Sequence, residues 1–142
     1  MPSIQYRFPN CLSTPLTAAM PKKSRPLNLE DFDAIDWDTE DDPTGNHAHC
    51  AEHGIDERVV DEVLNGDWVS IEIVVDTAEF AVVGPNEKGN FMWTLLFDTS
   101  WKRGDWLRPV TGWDARPKDI REWERVTGKQ WKGSGQLGRR RR

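Results

Sequence analysis

Between residues 68 and 111 the sequence repeats one arrangement: a run rich in β-branched, aliphatic and aromatic residues, then a polar connector. The runs fall at 68–75, 79–85, 90–98 and 106–111. Connectors such as Asp76-Thr77 and Asn86-Glu87-Lys88-Gly89 are too short for a crossover, so consecutive runs should pair antiparallel. In the last run Trp106, Arg108 and Val110 share one face, and Leu107, Pro109 and Thr111 the other. Pro109 has no N–H to give a ladder, which predicts an edge strand or a strand near its end.

Helical patterns flank the runs. Val59, Val60, Val63 and Leu64 recur at helical spacing behind Asp56, and Asn65-Gly66 supplies the stop. A shorter helix is predicted from Thr44, as N-cap, through His53, closed by Gly54. After the last strand, Gly112 and Asp114-Ala115-Arg116-Pro117 predict a turn into a third helix that carries Ile120, Trp123 and Glu124 to about Thr127. The expected fold is α+β, a small antiparallel four-stranded sheet with two N-terminal helices and one C-terminal helix, order ααββββα, the helices on one side.

A chain of 142 residues has room for one modest core. Residues 1–29 hold five of the nine prolines and no periodicity, which predicts a disordered leader. The domain is expected at 30–132 and a basic flexible tail at 133–142. Only 37% of the residues are hydrophobic, so the eight tryptophans must carry much of the core. The sequence contains no run long and apolar enough to span a bilayer, and Cys11 and Cys50 are widely spaced. A cytoplasmic protein with no membrane association is expected.

Charge is segregated. Residues 30–42 carry eight acids, whereas residues 102–142 carry thirteen Lys or Arg against five acids. Such asymmetry points to nucleic acid as a partner of the basic part. Arg108, Arg116, Lys118, Arg121 and Arg125 crowd the junction of the last strand and helix, and guanidinium forks match phosphate oxygens. Cleavage of RNA needs no metal when the neighbouring 2′-hydroxyl attacks, only a base and an acid. Here His53 or Glu122 is the candidate. Arg108 and Arg116 are expected to hold the phosphate and stabilise the transition state, with Lys118, Arg121 and Arg125 binding RNA.

The segment His47, His49, Cys50, Glu52, His53 offers a competing reading. His49 to His53 fits H-x-x-E-H, which places two imidazoles on one helical face, but Gly54 ends that helix at once and no distant glutamate ligand follows on a long helix. The chain contains no phosphate loop, dinucleotide fingerprint, CxxC pair or nucleophile elbow. No metal or cofactor is expected.

Several local patterns resemble the BrnT-type ribonuclease toxins of bacterial type II toxin–antitoxin systems. They are Trp37-Asp38, Asn46, His53-Gly54-Ile55, the acidic helix 56–64, and Arg108-Pro109-Val110-Thr111-Gly112 followed by Ala115 and Trp123-Glu124, over roughly residues 34–127. Trp113 stands where the family carries an arginine, with Arg116 further on, and Asp119 stands where a glutamate is common. The resemblance implies a RelE-like sheet, metal-independent endoribonuclease activity that arrests growth, and a cognate antitoxin as partner beside the RNA substrate. The alternatives are a non-catalytic toxin-fold module that binds an antitoxin or nucleic acid and, third, a zinc protein through His49 and His53.

Overall fold

The computed structural model describes residues 22–133. In chain order these form β1 (Lys22–Lys23), a 3-10 turn (Leu29–Asp31), β2 (Ala34–Ile35), α1 (Asn46–Glu52), α2 (Glu57–Leu64), β3 (Val69–Ser70), β4 (Val74–Val75), β5 (Phe80–Pro85), β6 (Met92–Thr99), β7 (Trp106–Asp114) and α3 (Pro117–Thr127). The expected four-stranded antiparallel sheet in the order ααββββα is overturned. The main sheet has five strands in the order β2-β7-β6-β5-β3 and is mixed, because β2 runs parallel to β7 with Ala34 opposite Trp106 and Ile35 opposite Leu107. β1 and β4 form a separate two-stranded ribbon.

Ser24 explains why the run at 68–75 is split. Its hydroxyl donates to the Ile71 carbonyl at 2.8 Å and accepts from the Ile73 N–H at 2.9 Å. β3 stays on β5, while β4 turns away to pair with Lys22 and Lys23. Residues 22–29 therefore build part of the domain, and Leu27 is buried in the core. The rest of the expected leader, 1–21, and tail residues 134–142 lie outside the described residues.

The helices cover both faces of the sheet rather than one. Along β5, Phe80 and Val82 pack with Cys50, Ile55, Val60, Val63 and Leu64 from the α1–α2 side. Ala81 and Val83 pack with Ile120 and Trp123 of α3 and with Trp131 beyond it. Phe80–Val83 and Leu95–Phe97 are continuous apolar runs because strands buried on both faces have no polar side to present.

The helix starts follow local chemistry. Asp56 caps α2 by accepting from the Val59 N–H at 3.0 Å. Gly45, not Thr44, is the cap of α1. Pro117 opens α3, and Gly128, at φ 73°, closes it in a conformation that favours glycine.

β7 is not an edge strand, since it lies between β2 and β6. Pro109 is tolerated because β2 has ended by that point, and its carbonyl accepts from Asn46 Nδ2 of α1 at 2.9 Å instead. Nor does Gly112 make a turn. It lies inside β7 opposite Leu95, where a Cβ would come within 2.6 Å of the Thr94 carbonyl oxygen and 2.7 Å of Ile55 Cδ1. Among the described residues no helix is long and apolar enough to cross a membrane.

Candidate functional site

Two polar assemblies flank β7, and they divide the expected site residues between them. The first joins the start of the domain to the middle of β7. Asp36, 2% exposed, accepts from Ser100 Oγ at 2.7 Å, Lys102 Nζ at 3.1 Å and Arg108 Nη1 at 3.2 Å. Asp38 takes both arms of the Arg108 guanidinium, at 3.1 and 2.6 Å, and Lys102 Nζ at 3.0 Å. Asn46 locks the loop onto α1: its side chain accepts from the Asp38 N–H at 2.8 Å, and its own N–H donates to the Asp38 carboxylate at 2.9 Å.

The charges in this assembly balance, two carboxylates against two cations. Burial pushes the Asp36 carboxyl up, but hydrogen bonds from Ser100, Lys102 and Arg108 outweigh it and leave it below the ordinary range. The Arg108 guanidinium holds Asp38 well below that range. In turn Asp38 raises Arg108 further. With its side chain 18% exposed and its donors directed at two acids, Arg108 is placed to join the N-terminal segment to the sheet.

The second assembly lies at the far end of β7. His53, Trp113, Asp114 and Arg116 line one open hollow of about 520 Å³, within the size range of small-ligand clefts. His53 is the exposed C-cap of α1, and Gly54 follows it at φ 79°. The Arg116 guanidinium lies over the Trp113 ring, 5.0 Å from its centroid, and its Nε donates to Asp119 at 3.1 Å. Asp119 is itself buried and accepts from the buried Thr94 hydroxyl at 3.0 Å. The hollow thus offers an imidazole, a carboxylate and a guanidinium stacked on an indole.

The structure therefore brings together His53 and Arg116 and leaves the other expected residues elsewhere. Lys118 and Arg125 line a separate groove with Ser70, Glu72 and Glu122. Arg125 is paired with Glu122, which it holds below its ordinary range. Arg121 is exposed on α3. Trp113 and Asp114 carried no site signal in the sequence reading. They could have been found by extending the β7 alternation past Gly112, which keeps both in a strand that leads directly to Arg116.

Among the described residues no group of three His, Cys, Asp or Glu side chains is arranged to hold a metal ion. Cys50 is fully buried, and burial pushes its thiol up to about 11. His47 faces Glu57, with Nε2 to Oε1 at 3.3 Å, while the rings of His49 and His53 meet edge to face at 5.2 Å.

Much of the basic charge is matched internally. Of the nine Lys and Arg between Lys102 and Lys132, six are ion-paired with carboxylates: Lys102, Arg103, Arg108, Arg116, Arg125 and Lys129. All 24 acids but only 14 of the 19 Lys and Arg lie within 22–133, a net charge of −10. Within 102–132 most of the cations are thus committed to ion pairs, and the four arginines at 139–142 lie outside the described residues. Comparison with protein-family models, curated proteins and solved structures finds no match to this chain.

Proposed function

We propose that this protein is a metal-independent endoribonuclease of the toxin–antitoxin kind, acting in the cytoplasm at the His53–Asp114–Arg116 hollow. One observation carries the reading: an imidazole and a guanidinium line the same open concavity, with a carboxylate between them in the chain. For the attacking 2′-hydroxyl, Asp114 or His53 takes the proton. The 2′-oxygen forms a bond to phosphorus as the bond to the 5′-oxygen breaks, and His53, when protonated, returns a proton to that leaving oxygen. Arg116 stabilises the charge that grows on the phosphoryl oxygens. In this reading the phosphate-binding role expected of both arginines falls to Arg116, and Arg108 is a structural ion-pair partner.

A second reading is a non-catalytic module that binds an antitoxin protein. The chain's net charge of −5 favours it, because a basic partner is attracted where a polyphosphate is not. Induced expression in bacteria separates the two. Growth arrest with loss of full-length RNA, relieved by His53→Ala, supports the nuclease; unchanged growth and intact RNA support the binding module.

A further inference from the structure

Phe91, the residue before β6, and Trp93, the second residue of that strand, hold their rings against each other, with centroids 4.7 Å apart. Trp93 sits opposite Asp114 in the β6–β7 ladder, and Asp114 lines the hollow. On the other side of Trp93 is Gly54, the residue after His53. It has no side chain to cover the indole edge, and a Cβ there would stand 3.7 Å from Trp93 Cη2. His53 in turn contacts His49, and both are exposed. Five positions from two distant segments thus make a row of rings, interrupted only by a glycine, that passes the hollow holding Arg116.

We propose that this row is the track for single-stranded RNA, whose unpaired bases stack on Trp93, Phe91 and the imidazoles while a phosphate reaches Arg116. The inference rests on the ribonuclease reading and supplies its substrate class. Two considerations select a single strand. Ring faces can take a base only when it is unstacked from a duplex. And with nine of the fourteen Lys and Arg in residues 22–133 already ion-paired, little affinity is available there from counterion release, so stacking has to supply it. A duplex would present only its phosphates to a net negative domain.

The test uses the full chain and a short fluorescein-labelled RNA bearing 2′-O-methyl groups, which cannot be cut through a 2′-oxyanion. It is measured by fluorescence anisotropy as single strand and as duplex. Wild type should bind the single strand at least about tenfold more tightly than the duplex. Trp93→Leu keeps an apolar side chain against the core but removes the ring face, and should lose about tenfold or more in single-strand affinity, the scale of one stacked base. Trp93→Phe should recover most of it. Circular dichroism melts verify folding, and Phe91→Ser serves as the second variant if Trp93→Leu is unfolded. Equal binding of strand and duplex, or unchanged affinity in folded Trp93→Leu and Phe91→Ser, would overturn the track. If unmethylated RNA is cut while those variants bind normally, the nuclease stands and the track falls. If stacking is lost in the variants but unmethylated RNA is never cut, the track stands and the nuclease falls.

Discussion

Arg108 and Asp38 face each other as a two-armed ion pair, Nη1 to Oδ1 at 3.1 Å and Nη2 to Oδ2 at 2.6 Å, across 70 residues of chain. The same guanidinium also reaches the buried Asp36. This geometry gives Arg108 a structural role that its place in an arginine-rich strand end does not reveal.

Arg108→Ala should therefore act on stability first. It would leave Asp36 and Asp38 with Lys102 as their remaining cation, and breaking a buried pair costs about 3–5 kcal/mol, toward the lower end here because Asp38 and Arg108 retain some solvent contact. Chemical denaturation should show a lower midpoint at an unchanged slope. A variant as stable as wild type yet inactive on RNA would return Arg108 to the catalytic site.

Acid should loosen the same junction. The carboxyls of Asp36 and Asp38 titrate lower in the folded state than the ordinary Asp value near 3.9. Their stabilisation is therefore complete above that value and is lost as pH falls through the folded values. Asp98, raised by burial, works in the opposite direction, but it is one group against this pair and the likewise lowered Glu79. The melting temperature should fall as pH drops below about 4, and the fall should be shallower in Asp38→Asn. Parallel curves for the two proteins would show that the pair does not control acid stability.

Gly112→Ala tests the close approach of β7 to β6 and to Ile55 in the α1–α2 connection. The new methyl would meet backbone at Thr94 as well as the Ile55 side chain, so rotamer changes alone cannot relieve it. A loss of about 1–3 kcal/mol is expected, as for overpacking in a core. Unchanged thermal stability would mean that the strands separate here at little cost.

The local elements were legible where one principle dominated: the capped, periodic α2, the antiparallel ladder through β5, β6 and β7, and the proline-led α3. The architecture was not. Ala34 and Ile35 make too short a strand to show alternation, yet their parallel pairing with β7 makes the sheet mixed. The apolar runs at 80–83 and 95–97 signalled burial on both faces, which placing the helices on one side overlooked. Of the candidate site, His53 and Arg116 were legible from residue type and position. The fate of Arg108 was not, because its carboxylate partners lie 70 and 72 residues away, within an acidic stretch that reads as solvated surface.

Arg116 is held over Trp113 by Asp119, and this orientation should matter to activity more than to folding. Asp119→Asn retains a side-chain oxygen for the helix cap and for Thr94 but loses the charge that orients the guanidinium. RNA cleavage should drop about tenfold in Asp119→Asn, and the same substitution should have no further effect in Arg116→Ala, since the two act through one group. Equal losses in both backgrounds would make Asp119 a purely structural residue.

The most direct measurement is the end chemistry of RNA incubated with the purified chain in excess EDTA. Attack by a 2′-oxygen, with His53 handling the proton and Arg116 the charge, predicts fragments ending in 2′,3′-cyclic phosphate, formed without metal and slowed at least about a hundredfold by Arg116→Ala, the scale for removing one oxyanion donor. Intact RNA, cleavage abolished by EDTA, or full activity in folded Arg116→Ala would contradict the account.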